Sequence, residues 1–328
     1  MSEPERLPSV LMVTSEWPRK PGHTAHFVAR QVRFLEAAGV RVEVVPFRGA
    51  KHPGKYAAAW LRVRQRLKRG GFDLVHAQFG QSALVAFPKR LPLVVTFRGD
   101  DLLGIVGEGG RKTWGGRVLQ WLSRLVARRA NQIIVVSRHM TDGLASRAPV
   151  HVVPSGIDLE LFRPMPQVAA RARLSLAQYE RLVLFVGDPA DPRKRGDLAR
   201  DAVARLPATL RARLFLAWKV PHTEMPYYFA AADVLVFTSL QEGSPNAVKE
   251  ALACDLPVVS VSVGDVAERL QDVPGCEVCP DDRPETIAAA LGRVLARGGR
   301  VAGRAAVSNL DERLLTQQVI AIYHAALQ

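Results

Sequence analysis

The sequence predicts an α/β protein of two doubly wound units, each a parallel sheet covered by helices, facing each other across a cleft. Three observations predict it. Short apolar runs alternate with stretches of helical period along most of the 328 residues, the pattern of β-α-β units. The βαβα order itself calls for parallel sheets covered on both faces. The alternation stops at an irregular segment, PSGIDLELFRPMP (154–166), and then restarts. The length suits two domains of about 160 residues. The expected division is 1–165, 166–310, and a final helix in 311–328 that could pack on either unit.

The elements follow in order. Val10–Thr14 is a strand, and Ala25–Ala38 a helix with Phe27, Val28, Val32 and Leu35 on one stripe, stopped by Gly39. Val40–Phe47 is the next strand. Tyr56–Arg69 is a helix with Tyr56, Trp60, Val63 and Leu67 on one face. Phe72–Ala77, Leu93–Phe97, Ile133–Ser137 and His151–Val153 are strands, with a long helix over Trp114–Ala130. In the second unit the strands are Leu182–Val186, Leu214–Trp218, Val234–Phe237 and Val258–Val261. Gly196–Leu206, Met225–Ala231, Pro245–Ala253, Glu285–Arg297 and Asp311–Leu327 are helical. Ligands of such sheets sit beyond the carboxyl ends of the strands.

Composition narrows the classes. The chain is 48% apolar, yet holds no uninterrupted apolar run of about 18 residues, so no spanning helix is expected. Its start, MSEPERLPSV, does not read as a signal peptide. Three cysteines suit a reducing cytosol, and Cys276-x-x-Cys279 lacks a second ligand pair, so core cysteines rather than zinc ligands are expected. Net charge is +14. Residues 1–165 carry 26 Lys/Arg against 12 Asp/Glu, and residues 166–328 carry 19 of each. The whole excess therefore lies in the first half. Either that half meets an anionic partner, such as a membrane surface or phosphorylated acceptor, or Arg is simply its favoured surface residue.

The most informative stretch is SLQEGSPNAVKEALACDLPVVSVSVGD (239–265). A strand ends near Ser239, Ser244 is placed to cap a helix, and Pro245 suits its first position. Glu242 then lies in the loop at the strand's carboxyl end, and Glu250 in the helix's second turn, leaning back toward the same mouth. The amides of Asn246 and Ala247 and the positive end of the helix dipole make that mouth an anion site. Gly243 permits close backbone approach. Carboxylates beside such a site suit hydroxyl groups on either side of a diphosphate, which is the layout of a nucleotide sugar. A capped surface helix with two solvated acids is the plainer alternative.

EGSPNAVKEA resembles the E-x7-E signature of retaining glycosyltransferases of the GT-B fold, family 4 (glycosyl transferases group 1). VLMVTSEWP…FVARQVRFLEAAG, DLVHAQFG, VVTFRGDD, VVPSGIDLELF and FVGDPADPRKRGDLARDAV match further family elements in the same order. The resemblance implies two Rossmann-like domains, with Glu242 on the donor sugar, Glu250 on the ribose, and Gly243, Ser244, Pro245, Asn246 and Ala247 lining the phosphates. It implies that Lys194 neutralises the donor diphosphate, with no metal or other cofactor. Arg193 and Arg195 are either its helpers or a solvated loop cluster.

The chain departs from the family in three places. Gly187-Asp188 stands where Gly-Arg is frequent, so Arg193 or Arg195 is expected to replace the missing arginine. Arg98-Gly99 stands where His-Gly is frequent, which leaves the catalytic base unassigned, while Arg98, Asp100 and Asp101 remain expected acceptor or sugar contacts. The loop Pro21-Gly22-His23-Thr24 lacks the usual Gly-Gly. Gly22 is expected near the diphosphate, and His23 and His26 are either sugar contacts or ordinary loop residues.

The basic first half is the expected acceptor side. Tyr56–Arg69 pairs its stripe with Arg62, Arg64, Arg66, Lys68 and Arg69. Trp114–Arg129 combines Trp114, Leu119, Trp121, Leu122 and Leu125 with Arg117, Arg124, Arg128 and Arg129. Such helices either lie on anionic lipid or pack on the sheet. The expectation is a cytoplasmic enzyme, attached peripherally to the inner face of the membrane. It moves sugar to a glycan or lipid-linked acceptor in polysaccharide or glycoconjugate synthesis, with no nucleic-acid partner. A sugar-nucleotide epimerase of similar fold and a non-catalytic sugar-nucleotide or polyanion binder are the alternatives.

Overall fold

The computed structural model describes residues 6–18, 26–48, 53–107, 110–142, 144 and 146–328. Two parallel sheets form it. The first contains β1 (Ser9–Thr14), β2 (Arg41–Pro46), β3 (Leu74–Gln78), β4 (Leu93–Phe97), β5 (Gln132–Val135) and β6 (Val150–Val152), in the order β2-β1-β3-β4-β5-β6. The second contains β7 (Arg181–Val186), β8 (Ala212–Ala217), β9 (Val234–Phe237), β10 (Val258–Val261) and β11 (Glu277–Cys279), in the order β11-β10-β9-β7-β8. All pairings are parallel. Strands β1, β3, β4, β5, β9 and β10 are buried along their whole length, as the largely apolar strands of a sheet covered on both faces are. In each sheet the order reverses, beside β1/β3 and beside β7/β9, and the loops leaving such a strand pair diverge to open a crevice.

The helices flank these sheets. In the first unit α1 (His26–Ala37), α2 (Pro53–Arg69), α3 (Gly80–Ala83), α4 (Asp100–Leu103) and α5 (Trp114–Ala127) surround the sheet. In the second, α6 (Gln167–Arg173), α7 (Gly196–Ala204), α8 (Met225–Ala231), α9 (Asn246–Ala253), α10 (Val266–Leu270), α11 (Pro284–Arg297) and α12 (Gly303–Ala306) do so. The last helix, α13 (Glu312–Leu327), crosses back onto the first unit. There it packs against α1 and β3–β5, with Tyr323 fully buried.

The two basic helices differ in how they pack. On α2, Val63 is fully buried, Tyr56 meets Phe47 edge-on and Arg64 is buried beside Trp60, while Trp60 and Leu61 keep exposed surface. On α5, by contrast, Trp114 and Trp121 face solvent. Cys254, Cys276 and Cys279 are free, and Cys279 lies in the short strand β11, which the sequence reading missed. Among the described residues no helix is long and apolar enough to cross a membrane.

Tyr323 Oη lies 2.7 Å from His76 Nδ1, and His76 Nε2 lies 2.7 Å from Thr96 Oγ1. Burial pushes the imidazole down to about 3, so it is neutral and needs both partners. Tyr323→Phe leaves a buried ring nitrogen unpaired and is expected to cost about 1–3 kcal/mol, read by chemical denaturation. Wild-type stability in this variant would deny that the contact anchors α13.

Candidate active site

The site forms where the loops after β7 and β9 part. Leu240 N donates to the Arg193 carbonyl at 2.8 Å and Thr238 Oγ1 to the Lys194 carbonyl at 2.8 Å, which locks the loops together. Lys194 Nζ and Arg193 Nη1 both reach Glu242 Oε1, at 2.6 and 2.9 Å. Burial alone would raise the Glu242 carboxyl, but the charges of Lys194 and Arg193 outweigh it and hold it below its ordinary range. Arg193 Nε also stands 4.0 Å from Asp100 Oδ2. Asp100 Oδ1 accepts from Gln241 Nε2 at 2.8 Å, while burial pushes its carboxyl up against the pull of Arg193. Glu16, at the carboxyl end of β1, opens onto the same crevice, and its carboxyl is raised by burial and by Asp101 and Asp100. The sequence reading missed Glu16, although its place just past a strand end was a usable signal.

Of the two arginines expected to stand in for the missing one, Arg193 shares Glu242 with Lys194. Arg195 does not. Its backbone is left-handed, with φ 53°, and its side chain turns to the Thr238 carbonyl and Asp282. Ser244 is not a cap either. The helix starts at Asn246 without a side-chain cap, and Ser244 Oγ donates to Asp265 Oδ2 at 2.8 Å, because α10 brings that acid alongside. Asn246 and Ala247 supply the first amides of α9, which lack helical acceptors. Among the described residues, the buried Asn246 Oδ1 and Asp265 Oδ1 have no hydrogen-bond partner.

Gly243 is glycine for a reason the sequence did not suggest. A Cβ there would collide with the Arg98 carbonyl oxygen and Val136. The close approach is thus to the first unit's turn. That turn is built by Asp101, which is buried and accepts from the amides of Gly80, Arg98 and Gly99 at 2.9–3.0 Å. Asp101 holds the turn and does not face the cleft, contrary to expectation. Arg98 is likewise engaged internally: it donates to Gln78 Oε1, Gln31 Oε1 and Ser155 Oγ and stacks over Phe27. Burial lowers it to about 10, so it stays charged near neutral pH. Both acceptor-contact expectations give way to structural roles in this conformation. Gly22 and His23 lie outside the described residues.

Glu250 sits in a second cluster. It is buried, with His222 Nε2 at 3.0 Å and Arg30 Nη1 at 3.5 Å from Oε1. Arg30 also pairs with Glu312 at 2.8 Å. His26 stacks on His222 with ring centroids 5.0 Å apart, joining the two units. The His222–Glu250 partnership holds the carboxyl low against burial. Lys249, fully buried, donates to the Ser155 carbonyl at 2.8 Å. Among the described residues, no three His, Cys, Asp or Glu side chains cluster as metal ligands would. A cavity of ≈680 Å³ lies beside the Arg193 loop; Asp191, Pro192, Arg195 and Leu240 line it, and Glu242 does not.

The comparisons fit this geometry. A profile described as Glycosyltransferase Family 4 matches residues 9–161, and one described as Glycosyl transferases group 1 matches residues 161–297. The chain belongs to this glycosyltransferase family. Curated relatives include the D-inositol 3-phosphate glycosyltransferases of Mycobacterium tuberculosis and Mycobacterium bovis, each 29% identical over 66% of this chain and 52% of theirs. The chain thus spans about half the length of those relatives. Among solved structures, sucrose-phosphate synthase from Thermosynechococcus elongatus superposes with TM-score 0.83 at 19% identity, covering 97% of this chain and 98% of that one. Anabaena HepE in complex with UDP and glucose gives 0.72 at 18%, covering 97% and 100%. WaaG, a glycosyltransferase involved in lipopolysaccharide biosynthesis, gives 0.71 at 17%, covering 96% and 99%. These likenesses establish the GT-B fold.

Lys249 yields a measurable consequence. Burial, opposed by Asp265 and Glu250 and aided by Arg269 and Arg30, lowers its ammonium from an ordinary 10.5 to about 7. Between those values the unfolded chain binds more protons than the folded one, so stability rises with pH across that window. Lys249→Met is expected to remove this rise, whatever its net effect at one pH, since it also takes the donor from the Ser155 carbonyl. Denaturation midpoints followed across the window test it; an unchanged slope would contradict it.

Proposed function

We propose that the chain moves a sugar from a nucleotide-diphosphate sugar to a hydroxyl of a glycan or lipid-linked acceptor, with retention of anomeric configuration. The setting is cell-surface polysaccharide or glycoconjugate synthesis at the cytoplasmic face of the membrane. The observation that carries this reading is the meeting of Lys194 and Arg193 on Glu242 beside the N-terminus of α9. Two cations gathered on one carboxylate oxygen beside a helix start, with Asp100 and Asp191 within 4.0 Å of Arg193, are placed to meet a diphosphate that gains charge as the sugar departs.

The bond between the sugar's anomeric carbon and the β-phosphate oxygen breaks, and its electron pair leaves with the diphosphate. Lys194 and Arg193 neutralise that charge. The acceptor hydroxyl bonds to the anomeric carbon from the same face, and its proton passes to the departing phosphate oxygen. Arg98 supports this proton route, because a guanidinium held near 10 is a poor base at neutral pH. Glu242 accepts hydrogen bonds from sugar hydroxyls. Gly243, Ser244, Pro245, Asn246 and Ala247 line the diphosphate, and Glu250 takes the ribose once Arg30 yields. No metal enters the proposal, since the two cations already supply the charge.

Solved neighbours include HepE complexes with UDP and UDP-glucose, which makes uridine diphosphate sugars the first donors to try. Glu242→Gln and Lys194→Met are each expected to lower kcat by about 10²–10³ while leaving the fold intact. Turnover assays beside circular dichroism test this, and NMR of the product's anomeric proton tests retention. Wild-type turnover in Glu242→Gln, or an inverted product, would contradict the proposal.

A further inference from the structure

The outer face of α5 is built in a way the transfer site does not use. Spacings of four, three and four residues place Trp114, Val118, Trp121 and Leu125 in one row along the helix. Trp114 is 81% exposed, Trp121 62% and Leu125 39%. Ile105, in the loop before the helix, is 43% exposed. Arg117, Arg124 and Arg128 form a second exposed row beside the first. Among the described residues, none of these arginines pairs with a carboxylate. Residues 102–141 hold seven Lys/Arg and a single acid, Glu108. The opposite face, with Gly116, Ser123, Val126 and Ala127, is buried on the first unit, so the tryptophans cannot be satisfied by turning inward.

A row of indoles beside a row of unpaired arginines matches one environment well. Indole prefers the boundary between hydrocarbon and water, and arginine prefers anionic headgroups. A protein partner would need an apolar pocket ringed by acids. The charge excess is not confined to this patch, however, but spreads over residues 1–165, which suits an extended anionic surface rather than a compact partner. We propose that this face of α5 docks on a bilayer containing anionic phospholipid.

Docking there has a consequence for the reaction. Gly110 lines the ≈680 Å³ cavity with Pro189, Pro192, Arg195, Leu240 and Asp282. Trp114 follows Gly110 by four positions, a reach of at most about 14 Å. Gln241 Nε2, adjacent to Glu242 in sequence, donates to the Gly104 carbonyl at 2.7 Å, so the loop entering α5 is tied to the catalytic loop. The cavity therefore opens beside the docked face. A membrane-borne acceptor would meet the Arg193 loop from that side; this clause alone rests on the glycosyl-transfer reading.

The test is flotation of the full chain with vesicles of phosphatidylcholine alone or mixed with phosphatidylglycerol, at about 0.1 M salt. Wild type is expected to float only with the mixed vesicles. Arg117→Glu with Arg124→Glu is expected to weaken partitioning by at least about twenty-five-fold, at roughly fivefold per basic residue. Trp114→Ser with Trp121→Ser should weaken it at least about tenfold, through loss of the interfacial indoles. Arg62→Glu with Lys68→Glu on α2 changes net charge as much as the first pair and should leave most of the binding. Circular dichroism and donor hydrolysis in solution, expected unchanged in all three, show that the variants fold. The proposal is overturned if wild type ignores the mixed vesicles, if the α5 variants float like wild type, or if the α2 pair loses as much. It is overturned also if the α5 changes only dissolve a self-associated form. Vesicle binding by a chain that transfers no sugar would sustain the docking while removing the enzymatic reading.

Discussion

One carboxylate oxygen shared by two cations organises the centre of this molecule. Lys194 and Arg193 leave β7, Glu242 leaves β9, and the sheet order sets those strands side by side with diverging loops. Without Glu242, the lysine and arginine would repel each other in a partly buried place. Without them, Glu242 would be a buried acid with a raised pKa. The three groups thus hold one another in place, with Asp100 and Asp191 also within 4.0 Å of Arg193. On the proposed function, the two cations and the helix start at Asn246 are the groups that meet the diphosphate.

The same constraint explains how tightly the two units are joined. Gly243 follows Glu242 and rests against the Arg98 carbonyl, with room for no side chain. Arg98 reaches Ser155 in the linking segment, and Ser155 in turn accepts from Lys249 of α9. Arg30 of α1 binds both Glu250 of α9 and Glu312 of α13. Each of these charges is buried and partnered across the junction, where removal of one partner would strand the other. Helix α9 is therefore held from both sides. On the proposed function, a nucleotide at Glu250 competes with Arg30, which would tie donor binding to movement between the units.

Much of the fold was legible because buried parallel strands carry uninterrupted β-branched and aliphatic runs. The strands missed or shortened are those with few such residues, such as Glu277–Cys279 at the sheet edge. Glu242, Lys194 and Arg193 were legible because each follows a strand end. Arg98 and Asp101 were misjudged because their partners, Gln31, Gln78, Ser155 and Gly80, lie 20 or more residues away. Ser244 had every local sign of a cap, and only packing by α10 redirected its hydroxyl to Asp265. Arg195 is aimed at the Thr238 carbonyl and Asp282 by a left-handed backbone that its neighbours in sequence do not announce. The α2 and α5 helices read alike in sequence, and only their packing shows that α2 buries Val63 while α5 leaves Trp114 and Trp121 in solvent.

Calorimetric titration with a panel of nucleoside diphosphates, comparing wild type with Lys194→Met and Glu242→Gln, tests the central claim most directly. If the cations grip the diphosphate and Glu242 merely occupies them in its absence, affinity falls by at least about tenfold in Lys194→Met and rises in Glu242→Gln, as expected when a competing charge is removed. Equal affinity in all three proteins would contradict the account.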